Sequence, residues 1–213
     1  AIAILKRAGA REILIAVPRR VGDAIRRQLG NGERIGVQLT YVFEPTPMGT
    51  GGALRCLQPL LQGQPFVVVN SDTMLDLDVG ELLVWHEEVK PAATMVVRPK
   101  PASSHFSPVA VNGEARIVAI RDSPLTIQEG MEIKMFAGVQ VLTEVIFDYL
   151  PEGPSDIVST FWQPALINGL DLRAYDYAGP WWEVGTLHQL LNAVRESRLA
   201  DFPALRCVSP LLT

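Results

Sequence analysis

The sequence is poor in the residues that redox centres and metal clusters use. Its 213 residues include two cysteines, Cys56 and Cys207, and three histidines. The cysteines are far apart and form no CxxC pair, so neither a zinc ribbon nor a dithiol centre is encoded, and a reducing cytoplasm is the expected compartment. His86, His105 and His188 have no ligand spacing, and each is expected in a structural or solvated role. No apolar run reaches the roughly 18 residues that a membrane-spanning helix needs, and no charged-then-apolar leader opens the chain. Excess positive charge is absent too. Nineteen Lys and Arg against 23 Asp and Glu leave a net charge of −4, which speaks against a nucleic-acid-binding surface. A small anionic ligand stays possible, because backbone amides bind such groups whatever the net charge. The chain also lacks an ordinary start. Ala1, Ile4, Leu5 and Ala8 already follow helical spacing, with no initiator Met and no capping residue before them. The expectation is a chain shortened at its N-terminus, with residues 1–213 forming a single domain.

What is present is a globular balance, 48% hydrophobic and 20% charged. Ile13 to Val17 and Phe66 to Val69 are fully apolar runs, the pattern of strands buried on both faces. Val37, Leu39, Tyr41 and Phe43 alternate as a strand, and Thr94 to Val97 makes another. Between them lie helical stripes: Val21, Ile25, Leu29; then Leu54, Leu57, Leu61; then Leu82, Trp85, Val89. Strands alternating with helices in this way predict βαβ units and a mainly parallel sheet. Further on, Val109 to Val111, the pair Asn112-Gly113 and Ile117 to Ile120 predict a hairpin with a two-residue turn. Ser123 to Gly130 and the region of Met131 and Met135 predict loop. Phe136 to Leu142 predicts a strand that feeds a helix at Val145 to Leu150. A second helix is expected around Ile157 to Ile167, entered or bent at Pro164, and a late strand at Leu172 to Tyr177. Leu187, Leu190, Leu191 and Val194 stripe the last amphipathic helix, and a Pro-punctuated apolar tail follows from Phe202.

Three segments carry chemistry. Glu44-Pro45-Thr46-Pro47-Met48-Gly49-Thr50-Gly51-Gly52 joins a strand to a helix start. Its glycines allow close backbone approach, and the helix start offers unpaired N–H groups with partial positive charge. Without a Walker A lysine and spacing it is not a P-loop; the plainer account is a tight turn with Thr50 as N-cap. Asp72 follows the apolar run ending at Val69, where open α/β sheets place ligands, and a carboxylate there suits Mg²⁺; it could equally cap a turn. Glu183, in Trp181-Trp182-Glu183-Val184-Gly185-Thr186, stands ahead of a helix, where a first-turn acid or a second metal-holding carboxylate both fit. Asp76 and Asp78 form a DxD pattern, but Asp78 is better explained as a helix cap.

Taken together, Glu44 to Arg55, Val67 to Asp72, Phe136-Ala137-Gly138-Val139-Gln140 and Trp182 to Thr186 resemble the sugar-1-phosphate nucleotidylyltransferases, the family that makes nucleotide-diphosphate sugars and includes mannose-1-phosphate guanylyltransferases. The resemblance implies a Rossmann-like nucleotidyltransferase fold: a mixed, mainly parallel sheet with helices on both faces, here with the first strand missing. It implies that Glu44, Gly49, Thr50, Gly51 and Gly52 hold the nucleotide, that Gly138 lines the sugar pocket, and that Asp72 and Glu183 are catalytic residues holding Mg²⁺. The substrates it implies are an NTP and a sugar 1-phosphate, with pyrophosphate released. The sequence departs from the family in three places. The opening Gly-rich triphosphate loop with its Arg and Lys is absent. Glu183 stands where Asp is commoner. Arg121-Asp122-Ser123-Pro124 replaces a Glu-Lys-Pro run, which leaves Arg121 or Lys134 as the stand-in for the sugar-phosphate lysine. Two other functions fit the same residues: a regulatory domain that binds a nucleotide or sugar nucleotide without catalysis, and a cytidylyltransferase acting on a non-sugar phosphate such as phosphocholine.

Overall fold

The computed structural model describes residues 1–102, 104–121 and 130–197. The expected loop at 123–129, Asp122 to Pro124, Cys207 and the tail from Phe202 lie outside the described residues. In chain order the elements are α1 (Ile2–Arg7), β1 (Glu12–Pro18), α2 (Arg19–Leu29), β2 (Gln38–Glu44), α3 (Gly49–Leu61), β3 (Phe66–Val69), β4 (Thr73–Leu75), α4 (Val79–Val89) and β5 (Ala93–Pro99). There follow β6 (Val109–Val111), β7 (Ile117–Ile120), β8 (Glu132–Leu142), α5 (Gln163–Ile167), β9 (Leu172–Asp176), β10 (Trp181–Glu183) and α6 (Leu187–Glu196). They form two compact units, one of Ala1–Met48, Ser71–Leu82 and Gly179–Thr213, the other of Gly49–Asn70 and Leu83–Ala178.

In the first unit β1 and β2 pair in parallel from Glu12↔Gln38 to Pro18↔Glu44. Ile13, Val17, Val37 and Leu39 are buried. The helix α2 forms where the Val21, Ile25, Leu29 spacing predicts it, yet Val21 is 40% exposed. Contact with the sheet runs instead through Gly22, so close that a Cβ there would lie 2.5 Å from the Phe43 ring and 2.9 Å from Val17. A short antiparallel ribbon, β4 with β10, is the second sheet of this unit. Arg7 ties α1 to the segment after β4, bonding Asp76 Oδ1 at 2.7 Å and the Leu77 carbonyl at 2.8 Å. Asp78 Oδ1 accepts from the Gly80 and Glu81 amides and caps α4. The DxD pair is thus an ion-pair partner and a cap. The apolar stripe of α6 lies at the surface, from 42% exposed at Leu190 to 73% at Leu187, and it is Ala193 that is buried.

The second unit holds a six-stranded sheet, ordered β7-β6-β8-β5-β9 with β3 also on β8. The expected mixed sheet is present, with β1–β2 and β5–β9 parallel. Among the described residues antiparallel pairings nonetheless outnumber parallel ones. The cause is β8, whose 11 residues run against β6, β3 and β5. It starts at Glu132, ahead of the expected Phe136, so Met135 is a core strand residue at 2% exposure and not loop packing. Phe161, Trp162, Ile146, Leu142 and Val97 form the centre of the core. Trp162 Nε1 donates to buried Gln140 Oε1 at 3.0 Å, satisfying both groups.

Three local expectations change. Glu144–Asp148 is a 3₁₀ turn and not an α-helix; the stretch before Pro151 is too short to propagate one. The helix around Ile157 opens as a π-turn, Val158–Trp162, and continues as α5. Pro164, which has no N–H to give, falls just past the widened turn. The β6–β7 loop is longer than a two-residue Asn-Gly turn: Asn112 Oδ1 accepts from the Glu114 and Arg116 amides, and Ala115, not Gly113, takes positive φ.

Candidate active site

Thr73-Met74-Leu75 and Trp181-Trp182-Glu183 are β-branched, apolar and aromatic triplets suited to a pleated, half-buried surface. They pair Leu75↔Trp181, Met74↔Trp182 and Thr73↔Glu183. The Val184 amide donates to the Asp72 carbonyl at 2.7 Å and carries the pairing one residue further. Asp72, the turn residue just before β4, and Glu183, the last residue of β10, are therefore one register step apart along the ribbon. Asp72 is exposed and Glu183 half-buried. Gly185 leaves the space beside them open: a Cβ on it would lie 3.7 Å from Asp72 Oδ2 and 3.6 Å from Gln189 Oε1. Gln189 Nε2 in turn donates to Glu183 Oε2. Among the described residues no group of three or more His, Cys, Asp or Glu is arranged to hold a metal.

Glu44 ends β2, and its Oε2 accepts from the Met48 amide at 3.4 Å. In the other unit α3 begins at Gly49, so Thr50 lies in the first turn and is not the N-cap. The Gly51 and Gly52 amides donate to the Ser155 carbonyl at 3.0 and 3.4 Å. Gly49 has φ +66°, and a Cβ on it would lie 2.6 Å from that same carbonyl oxygen; on Gly51 it would lie 2.5 Å from Ser155 Oγ. The glycines thus answer first to a segment of the protein itself. Ser155 belongs to no motif, and nothing in its local sequence marks this contact.

Gly138 is buried in β8 with φ +91°. The β5–β8 register jumps there, from Met95↔Gln140 to Val97↔Phe136, and the positive φ of the bulge demands glycine. Its carbonyl accepts from the Asn70 amide at 2.8 Å. The two stand-in cations are both engaged. Arg121 bonds Asp156 Oδ2 at 2.9 Å. Burial works to raise the Asp156 pKa, but the Ser159 amide and Arg121 outweigh it and hold the carboxyl below its usual value. Lys134 bonds Glu132 and, at 3.1 Å, Asp176. Chiefly through the Glu132 bond, its pKa is raised. His86 is buried with Nδ1 2.7 Å from Thr94 Oγ1, and His188 meets Asn192 on the surface of α6.

The nucleotidyl transferase family model matches residues 1–198. The chain belongs to that family. Mannose-1-phosphate guanylyltransferase catalytic subunit beta of Drosophila pseudoobscura pseudoobscura is 26% identical over 189 residues, covering 88% of this chain and 50% of the relative. The mannose-1-phosphate guanylyltransferase of Mycobacterium tuberculosis is 27% identical over 183 residues, 84% of this chain and 50% of the relative. The UTP–glucose-1-phosphate uridylyltransferase of Synechocystis is 23% identical over 206 residues, 90% and 53% of the two chains. This nucleotidyl transferase chain spans about half the length of the curated relatives it matches. Among solved structures, a putative glucose-1-phosphate thymidylyltransferase of Bacillus anthracis has a TM-score of 0.75 at 21% identity, covering 92% of this chain and 81% of that one. The inositol-1-phosphate CTP transferase of T. maritima reaches 0.72 at 17%, covering 92% and 78%. The fold is therefore the Rossmann-like nucleotidyltransferase fold. No described helix is long and apolar enough to cross a membrane.

Proposed function

We propose that this protein joins a sugar 1-phosphate to a nucleoside triphosphate, giving a nucleotide-diphosphate sugar and pyrophosphate. A phosphate oxygen of the sugar attacks the α-phosphorus, and the bond to the β,γ-pyrophosphate breaks. In this reading Asp72 and Glu183 hold Mg²⁺, which when bound neutralises phosphate charge and aligns the reacting groups. Glu44 and the Gly49 to Gly52 turn bind the nucleotide, and Gly138 lines the sugar pocket. The residues act by fixing orientation and charge, since such transfers need little covalent chemistry from the protein. The observation that supports the reading best is the β4–β10 pairing, which sets Glu183 opposite Thr73, the residue after Asp72. Mannose 1-phosphate with GTP is the pair to assay first, because most of the relatives are named for that reaction. A cytoplasmic location goes with this reading.

The test is pyrophosphate release from GTP, UTP, dTTP and CTP, each with mannose 1-phosphate or glucose 1-phosphate, by a full-length form and its Asp72→Asn variant; residues 1–213 alone, without the triphosphate loop, are expected to be inactive. Turnover of at least one pair by the full-length form, lowered on the order of a hundredfold or more in the variant at saturating Mg²⁺, is expected. Nucleotide binding without any pyrophosphate release by the full-length form overturns catalysis in favour of a binding domain.

A further inference from the structure

We propose that Gln189 is a positioning residue for Glu183, fixing its carboxylate in the orientation from which it and Asp72 share a divalent cation. The proposal rests on the reading of those two residues as metal ligands. Thr186 caps α6: its Oγ1 accepts from the Gln189 amide at 3.2 Å and donates to Gln189 Oε1 at 3.0 Å. That bond holds the oxygen end of the Gln189 side-chain amide. The nitrogen end donates to Glu183 Oε2. Reversing the amide would set its oxygen against a carboxylate, so the acid itself dictates the orientation. In a capping box the residue at this third helical position reaches back to the N-cap amide. Here its nitrogen reaches past the cap to Glu183, three residues before Thr186. The bare Gly185 lies between: its missing Cβ marks a point 3.6 Å from Gln189 Oε1 and 3.7 Å from Asp72 Oδ2. Thr186, Gln189 and Glu183 thus form one hydrogen-bonded chain that passes Gly185, the residue next to the Asp72 carboxylate.

The chain matters because Glu183 carries one more rotatable bond than an aspartate. Each free rotor must be frozen when a cation is bound, at a cost in entropy. Gln189 freezes it beforehand, drawing on the helix cap as a fixed base. Partners of metal-holding side chains commonly change metal affinity 10- to 100-fold when removed.

Mn²⁺ titration of the full chain, followed by electron paramagnetic resonance, tests this, with Mn²⁺ alone as the probe. The wild type, Gln189→Ala, Gln189→Met, Asp72→Asn and Glu183→Gln are compared, with thermal melting recorded for each. Gln189→Ala should weaken Mn²⁺ roughly tenfold while melting stays near the wild type. Gln189→Met keeps length, helix propensity and neutrality but has no N–H to donate, and it should weaken Mn²⁺ about as much. If Gln189→Ala melts early, Gln189→Met decides. Wild-type affinity in both Gln189 variants, with Mn²⁺ lost in Asp72→Asn and Glu183→Gln, overturns the positioning role alone. Wild-type affinity in Asp72→Asn and Glu183→Gln, or no binding by the wild type, overturns the metal reading beneath it.

Discussion

Replacing Gly51 by alanine puts a methyl carbon 2.5 Å from Ser155 Oγ, 3.1 Å from the Ser155 carbonyl oxygen and 3.2 Å from Leu150 Cδ2. The first distance forces a movement. Ser155 Oγ can turn about χ1, but the Ser155 carbonyl, bonded to the Gly51 and Gly52 amides, has little room to retreat from the 3.1 Å contact. Overpacking of this kind costs roughly 1–3 kcal/mol, and the better helix propensity of alanine offsets up to about 1 kcal/mol. The net expectation is a loss of about 1–2 kcal/mol, or a melting shift of roughly 2–8 °C for a chain of this size. Ser155→Ala by itself should be nearly neutral, since Ser155 Oγ is buried with no hydrogen-bond partner. In the double variant the 2.5 Å contact is gone, and at least about half of the loss should return. Urea melts of the four proteins without nucleotide measure this cycle. A Gly51→Ala variant as stable as the wild type refutes the packing argument. So does additivity within about 0.5 kcal/mol, since groups in contact should couple. The outcome also governs the functional test. Gly51→Val should weaken nucleotide binding if the turn meets the nucleotide, but affinities must be compared at equal folded fraction.

His86 supplies a pH prediction. Burial lowers its pKa below the unfolded value, with Glu87 opposing weakly. The unfolded state therefore binds more protons, and stability falls as pH drops below about 6.5, by at most about 1.4 kcal/mol per pH unit. A His86→Gln variant should show a shallower decline of melting temperature between pH 7.5 and 5.5; an identical slope refutes the assignment. Gln140→Leu leaves the Trp162 indole N–H unpaired in the core and should cost about 1–3 kcal/mol by denaturant unfolding. Thr186→Ala removes the α6 cap and should lower stability by roughly 1 kcal/mol, with exchange of the Gln189 amide accelerated; unchanged exchange there counts against the cap.

Long elements with strong periodicity were legible in the sequence. The apolar runs at Ile13 and Phe66 and the stripe at Leu82 gave strands and a helix where they were expected, although the expected burial on both faces is not seen: Phe66–Val69 is only half-buried, and in β1 only Ile13 and Val17 are buried. The three-residue strands β4 and β10 were not legible. Their signal is the aromatic pair Trp181-Trp182 and the triplet Thr73-Met74-Leu75, too short to show a period. Asp72 and Glu183 could be picked out as carboxylates near helix and strand ends, but their adjacency depends on that ribbon. Ser155 illustrates the harder case. Its carbonyl meets two glycine amides just over a hundred residues away, and a backbone contact carries no side-chain signature. The surface stripe on α6 shows the reverse: amphipathic spacing gave the helix but not the extent of its burial.

The β4–β10 ribbon has a consequence for the order of assembly. Three residue pairs close a loop of roughly a hundred residues, so the entropy of closure falls on very few bonds. At a synthesis rate of about 5–20 residues per second, β4 leaves the ribosome roughly 5–20 s before β10 can pair with it. During that interval Asp72 has no neighbouring carboxylate from β10, however far the intervening segment has folded. The proposed ion-binding pair thus cannot form until β10 has been made. The Val184 amide, bonded to the Asp72 carbonyl, is its natural reporter: its hydrogen exchange should slow late in refolding, and slow further when a divalent cation joins the two acids.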